Sequence, residues 1–381
     1  MRISARHKVA FGLTALITSI TFLSACGNAP AAKEPSLSGL TCTEEVEFGN
    51  ICFGISIDDF NADGFEYGDS VCVSFSNGYT LDDLPYYNGY YSRFGEPLLV
   101  AYPGYPTIMA AITSGSSMWE AAGVTEGCTA DIRLVERGRY MEVQNARDIH
   151  YTDNREDYAS DEVFANFRTV AAGNIGKGVL CRSASPCDNR HNRAPYTDKL
   201  TKEAGVRFIL DLADDDEKIK GYMEAGDFDS PYFTELRSAG KVCPLAMSAD
   251  YGTEEFMSKL KVGLVKMSGN DGPYLVHCTE GKDRTGFVCM LLEALMGASY
   301  KEIEADYMKT YENYYHITEA SDKAKYDIIV RDLLIPMLNI ITGDESVDVR
   351  TADLSGYAEK MLIASGMTAE QTDALRQRLR G

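Results

Sequence analysis

Apolar and polar positions change rhythm near residue 150. Before it, short apolar runs alternate with polar residues and break at Gly, Asn or Pro. Ser70-Val71-Cys72-Val73-Ser74-Phe75-Ser76 alternates and ends at Asn77-Gly78. Glu96 to Tyr102 stops at Pro103-Gly104, and Thr129 to Val135 sets Ile132 and Leu134 among charged residues. A period of two marks half-buried strands, and Asn-Gly marks a tight turn. Many short strands punctuated in this way predict an all-β accessory domain over 40–150, a small barrel or a sandwich.

From residue 151 the pattern is α/β. Gly178 to Ser183, Gly205 to Leu212 and Val242 to Met247 read as strands. Thr253 to Met267 reads as a helix with Phe256, Leu260, Leu264 and Met267 on one face. Tyr274-Leu275-Val276 is a further apolar strand, and Phe287 to Met296 a buried helix that stops at Gly297. Thr368-x-x-Gln371 has capping-box form ahead of Leu375 and Leu379, so the chain closes on a packed helix. Strands alternating with helices predict a mostly parallel sheet flanked by helices over 151–381. Ligands bind at the carboxyl ends of the strands in such sheets.

Between the last strand and the buried helix stands His277-Cys278-Thr279-Glu280-Gly281-Lys282-Asp283-Arg284-Thr285-Gly286. It is a tight loop on a helix N-terminus, where backbone N–H groups lack partners and the dipole is positive. Such a place binds phosphate. The same field favours the thiolate of Cys278, the nucleophilic form of cysteine. Arg284 carries a planar fork that can hold two phosphoryl oxygens. Thr285 can donate its hydroxyl to the sulfur. The set suits attack of sulfur on phosphorus through a phosphocysteine, with Thr279, Glu280, Gly281, Lys282 and Gly286 as the cradle. Backbone amides and Arg284 supply the positive charge, so this chemistry requires neither a metal nor another cofactor.

His-Cys-x5-Arg-Thr-Gly resembles the signature loop of the cysteine-dependent protein tyrosine phosphatase superfamily. The Gly-Lys-Asp-Arg-Thr version resembles its bacterial branch, which acts on phosphotyrosine and in some members on phosphoserine/threonine or phosphoinositides. Asn166-Phe167-Arg168 and Leu180-Cys181-Arg182-Ser183 are similar to two more segments of that family. The family often continues Asn-Phe-Arg with Asp-Leu-Gly-Gly, whereas Thr169 to Gly173 follows here. The resemblance implies a tyrosine-phosphatase-like α/β fold over 151–381. It also implies a phosphatase activity and a role for His277 in orienting the nucleophile.

Dephosphorylation needs an acid for the leaving oxygen and then a base for water. In superfamily members a carboxyl group on the loop after the strand preceding the pre-loop helix does both. Here that is Met247 to Gly252, whose carboxylate is Asp250. Asp283, inside the phosphate loop, competes for the role. Asp214, Asp215 and Asp216 form a third option that also reads as a solvated turn. Arg182, Arg190, His191, Arg193 and Lys199 form a basic island. Arg182, and with it Arg168, can face the phosphate, or the island can bridge to the acidic surface. Lys282 adds charge suited to multiply phosphorylated ligands. Tyr307, Tyr311, Tyr314 and Tyr315 make an aromatic stripe that reads as core packing.

Charge and chain ends narrow the partners. With 57 acidic against 37 basic residues the net charge is −20, which opposes nucleic acid as a surface-wide partner. Residues 1–25 have a basic start, a short apolar run and Leu23-Ser24-Ala25-Cys26, the pattern of a signal peptide. Leu-Ser-Ala-Cys resembles a bacterial lipobox. That implies lipidation of Cys26, a tether over 26–39 and a place on the outer face of a cell membrane. The ten cysteines show no metal spacing, and several, such as Cys72 and Cys289, read as small buried hydrophobes. The substrate expected is a phosphorylated protein, foremost phosphotyrosine, with inositol phosphate as the alternative. A non-catalytic binder of phosphorylated ligands is the reading from another class.

Overall fold

The structure is a computed structural model that describes residues 34–113 and 117–381. Cys26 and the segment read as a signal peptide lie outside the described residues. Among those described, no helix is long and apolar enough to cross a membrane.

The first region is a closed barrel of seven strands. They are β1 (Ser36–Glu45), β2 (Asn50–Ser56), β3 (Ser70–Phe75), β4 (Thr80–Tyr87), β5 (Pro97–Val100), β6 (Thr107–Ile112) and β7 (Thr129–Glu136). Their order is β1-β2-β6-β5-β4-β3-β7. Of the two architectures that the alternation allowed, closure won, and closure leaves no unpaired edge. Ile51, Phe53, Val71, Val73, Leu99 and Ile132 fill the interior. The outer face around Tyr87, Leu98, Val100 and Met109 is also buried, under Tyr140 and Val143. The helix Met141–Arg147 provides this cover and leads out of the barrel.

The second region holds a five-stranded sheet. Its strands are β8 (Arg168–Thr169), β9 (Leu180–Ser183), β10 (Phe208–Asp211), β11 (Val242–Pro244) and β12 (Tyr274–His277), in the order β11-β10-β12-β9-β8. All pairs are parallel except β8 with β9. Strands β9, β10 and β12 are buried at every position, as the interior of a helix-covered sheet requires. The register sets Ser183, His277 and Asp211 side by side at one end, with Pro244 beside Asp211. The four chain segments that follow these residues therefore leave from one edge.

Two elements differ from the sequence pattern in an informative way. β11 ends at Pro244 rather than Met247, because Ala246 takes φ 45, outside strand geometry. Leu245 and Met247 still donate N–H bonds to the Asp211 and Leu212 carbonyls at 2.9 and 2.8 Å. The helix after β12 begins at Asp283, four residues before the apolar run at Phe287. Its first turn is polar because it belongs to the loop.

Two of the side-chain contacts between barrel and sheet region bear on the site. Arg93 Nε pairs with Asp332 Oδ1 at 3.2 Å. Phe94 packs edge-on against Tyr251, which stacks on Phe287 at 4.7 Å. An aromatic chain thus runs from the barrel to the helix behind the loop.

Candidate active site

The loop from Cys278 to Lys282 joins β12 to the helix Asp283–Leu295. Its carbonyls all turn outward. Ser185 N–H donates to the Thr279 carbonyl at 3.0 Å. Tyr314 Oη donates to the Glu280 carbonyl at 2.8 Å, and Asn166 Nδ2 reaches the same carbonyl at 3.4 Å. Arg182 Nη2 and Asn166 Nδ2 donate to the Gly281 carbonyl at 3.0 and 3.2 Å. Gly286 N–H takes the Lys282 carbonyl at 2.9 Å. With the carbonyls bound outside, the N–H groups face in. Among the described residues, none of the N–H groups from Thr279 to Arg284 has an acceptor. Six converging donors on a helix N-terminus form an anion cradle.

Gly281 is required by this geometry. It has φ +69, and a Cβ there would lie 2.2 Å from the Ser183 carbonyl oxygen. The loop passes against the end of β9 with no room for a side chain.

Cys278 sits at the start of the cradle, 3% exposed. Arg284 donates from Nη1 to the Met247 carbonyl at 3.0 Å and from Nη2 to Thr279 Oγ1 at 3.4 Å. The segment after β11 thus aims the guanidinium. Thr285 is fully buried and its hydroxyl has no partner among the described residues, so it is free to donate. Lys282 pairs with Glu280 at 3.1 Å and with Asp283 at 3.8 Å. Burial pushes the Glu280 carboxyl up, but Lys282 and the Tyr151 hydroxyl hold it below the ordinary glutamate value.

The two aspartates proposed as acids part company. Asp283 borders a cavity of about 560 Å³ together with Lys282, Tyr311 and Tyr315. Asp250 borders a neighbouring hollow with Glu44, Phe48 and Tyr105 of the barrel region. Ala249 is common to both walls.

His277 is fully buried, with Nδ1 3.4 Å from the Cys278 carbonyl and Nε2 3.9 Å from Asp211 Oδ2. Burial pushes its imidazole down to about 4, so it is neutral at pH 7. Beside it, burial pushes the Asp211 carboxyl up to about 7 and the Asp214 carboxyl up to about 6. Ligating atoms of Cys187, Asp211 and Asp214 lie within 4.8 Å of one another, the described group able to share a cation or protons. Asp214 is therefore buried rather than a solvated turn residue, while Asp215 caps the next helix through Lys218 N–H at 2.8 Å.

Arg182 requires a correction. It was expected to face the phosphate, yet it is 1% exposed and turned behind the loop, bonding Asp306 and the Gly281 carbonyl. The reason is local: antiparallel pairing sets Arg168 opposite Arg182, and both grip Asp306. Burial alone would raise the Asp306 carboxyl, but the two guanidiniums hold it well below the ordinary range. The rest of the basic island bridges to carboxylates. Arg190 pairs with Asp188 at 2.6 Å, Lys199 with Asp161 at 3.2 Å, and His191 and Arg193 with Asp153 at 3.1 and 2.6 Å. The Arg193 guanidinium also lies 4.7 Å from the centroid of Tyr151, which donates to Glu280 at 2.9 Å. The tyrosine stripe divides. Tyr307, Tyr311 and Tyr314 are buried, as the core-packing reading expects, while Tyr311 and the half-buried Tyr315 also border the cavity.

Asn166 and Tyr314 hold the loop carbonyls, a role that neither the Asn-Phe-Arg segment nor the core-packing reading of the stripe had specified. Their signal is the Asn-Phe-Arg segment, whose Asn166 takes φ 49, a conformation that asparagine accepts more readily than most residues. The described cysteines form no disulfide; Cys181, Cys187, Cys243 and Cys289 are buried thiols.

Comparison with known proteins gives three kinds of result. The family model described as "Tyrosine phosphatase family" matches residues 139–381. No curated protein matches the chain. Among solved structures, an uncharacterized conserved protein from Thermotoga maritima is 19% identical with a TM-score of 0.23; the match covers 26% of this chain and only 36% of that one. The core catalytic domain of the PP-IP phosphatase SIW14 from S. cerevisiae, in complex with citrate, is 18% identical with a TM-score of 0.26, over 44% of this chain and 85% of that one. TpbA from P. aeruginosa is 16% identical with a TM-score of 0.21, over 55% and 92%.

Proposed function

Because the chain belongs to the tyrosine phosphatase family and is thereby a phosphoric monoester hydrolase, we propose that it works through a phosphocysteine on Cys278, as an exported enzyme held at the outer face of a cell membrane by lipid on Cys26. The cradle carries this reading. Six inward N–H groups and Arg284 complement the three equatorial oxygens of a phosphoryl group in flight. The Cys278 thiolate attacks phosphorus and the ester oxygen leaves with a proton. Water then attacks phosphorus, returns the thiolate and releases phosphate. Asp283 serves as the proton donor and later the base, since it borders the cavity beside the loop while Asp250 faces the neighbouring hollow. Neutral His277 holds the loop's start and does not itself exchange protons at pH 7.

Phosphotyrosine protein leads as substrate on the family resemblance. Inositol phosphate is the second reading, favoured by Lys282 and Arg147 at one cavity. Turnover of p-nitrophenyl phosphate tests the chemistry. Cys278→Ser is expected to lose on the order of 10⁴-fold or more in kcat, as other nucleophile removals do. Full activity in that variant, or a strict need for a divalent metal, overturns the mechanism. A Cys26→Ser protein that stays in the membrane fraction overturns the anchor.

A further inference from the structure

The cavity beside the loop has walls from both regions. Tyr91 and Phe94 follow β4, and Arg147 ends the helix that leaves the barrel; Lys282, Asp283 and Tyr311 face them. At about 560 Å³ it lies in the range of small-molecule sites. Arg147 is its notable group. The guanidinium rests over the Tyr91 ring, 5.4 Å from the centroid, and Nη1 reaches the Tyr91 carbonyl at 3.5 Å. Among the described residues it has no carboxylate within 4.0 Å, whereas Lys282 is held by Glu280 and Asp283. In a chain with 57 acidic residues to 37 basic ones, most cations near this face are neutralised. Arg147 and Arg284 have no such carboxylate partner among the described residues, and Arg147 lines the cavity itself. A half-buried guanidinium without a counter-charge is a ready acceptor for an anion from solution.

We propose that this cavity is a second anion subsite and that Arg147 is a specificity-determining residue which receives a further phosphate of the substrate. The inference rests on the phosphomonoesterase reading above and takes its second substrate class, inositol phosphate, over phosphotyrosine. The preferred substrate is a compact alcohol bearing several phosphates, such as an inositol polyphosphate. One phosphate enters the cradle at Cys278 while another meets Arg147, with Lys282 between them. The barrel then acts as half of the substrate site rather than as a spacer.

The test compares inositol hexakisphosphate with p-nitrophenyl phosphate on the full chain, with an acidic phosphotyrosine peptide as a third substrate, for wild type, Arg147→Gln and Arg147→Lys. Wild type is expected to favour the hexakisphosphate in kcat/KM. Arg147→Gln should lower the ratio of the two kcat/KM values by about 10- to 100-fold, mainly through KM, the scale of one charge-assisted contact. Arg147→Lys should recover part of it, keeping charge without the fork. An unchanged ratio overturns the proposal, and so does an equal fall on both substrates, which marks a structural residue. Loss confined to an acidic phosphotyrosine peptide overturns it in favour of a protein substrate. Turnover of p-nitrophenyl phosphate without preference for the hexakisphosphate overturns the subsite alone. Turnover of neither substrate overturns the phosphatase reading and the subsite with it.

Discussion

Asp283 and Asp250 both offer a carboxyl group on the catalytic side of the sheet, but they border different hollows. That difference makes a sharp prediction at the level of single residues. A general acid matters most when the leaving oxygen is a poor one. Asp283→Asn should therefore lose about 10²–10⁴-fold in kcat/KM on an alkyl phosphate. The loss should be smaller on p-nitrophenyl phosphate, whose leaving group needs little help. Asp250→Asn should leave the contrast between the two substrates as it is. The reverse pattern would return the acid to Asp250 and assign the segment after β11 a proton in addition to its grip on Arg284.

Among elements, the loop is held by what lies outside it. Its carbonyls are bound by Ser185, Asn166, Arg182 and Tyr314, which come from three separate elements. Removing one brace should loosen the cradle without touching the nucleophile. Asn166→Ala loses donors to Glu280, Gly281 and Thr310 and the acceptor for Arg168 and Asn313. A buried network cut in this way should cost about 2–4 kcal/mol in a chemical denaturation curve. Gly281→Ala probes the same packing from inside, with a Cβ 2.2 Å from the Ser183 carbonyl oxygen. Displacing the loop by even part of an ångström should lower kcat/KM by about 10²-fold or more. A near-native kcat/KM in that variant would mean that the Ser183 backbone can retreat.

At the scale of the whole molecule, the buried acids beside His277 set a pH dependence of stability. Asp214 has its carboxyl raised to about 6 and Asp211 to about 7, both by burial. A raised carboxyl binds its proton more tightly in the folded chain than in the unfolded one. Its contribution is favourable in acid and is lost as pH rises from about 4 to the folded value. His277, lowered to about 4, acts the other way and costs stability as pH falls below about 6.5. Asp214→Asn removes one buried ionisation while keeping an acceptor for Tyr222. The variant should be more stable than wild type at pH 8, by on the order of 1–3 kcal/mol. The gap should narrow below pH 6 and close near pH 4, as followed by urea midpoints. A gap that widens in acid would show that Asp214 is charged and paired in the folded state.

What the sequence by itself determined is local: hairpin alternation before residue 150, apolar strands after it, and a loop whose residue types define an anion site. Each of these follows from a period, a turn residue or a helix start, and each is written in neighbouring residues. Tertiary structure alone decided which long-range partners those groups find. Arg182 and Arg168 carry the charge of phosphate binders, yet strand pairing sets them opposite one another and Asp306 takes both. Asp214 looks like part of a solvated acidic turn, yet the register of β10 against β12 buries it near His277. Arg147 looks like one more surface charge at a helix end, and only the packing of the barrel region on the sheet region brings it to the cavity that Lys282 and Asp283 also border. The physical reason is common to all three. A side chain's charge is fixed by its own chemistry, whereas its burial and its counter-charge depend on distant segments, 124 residues away for Arg182 and Asp306.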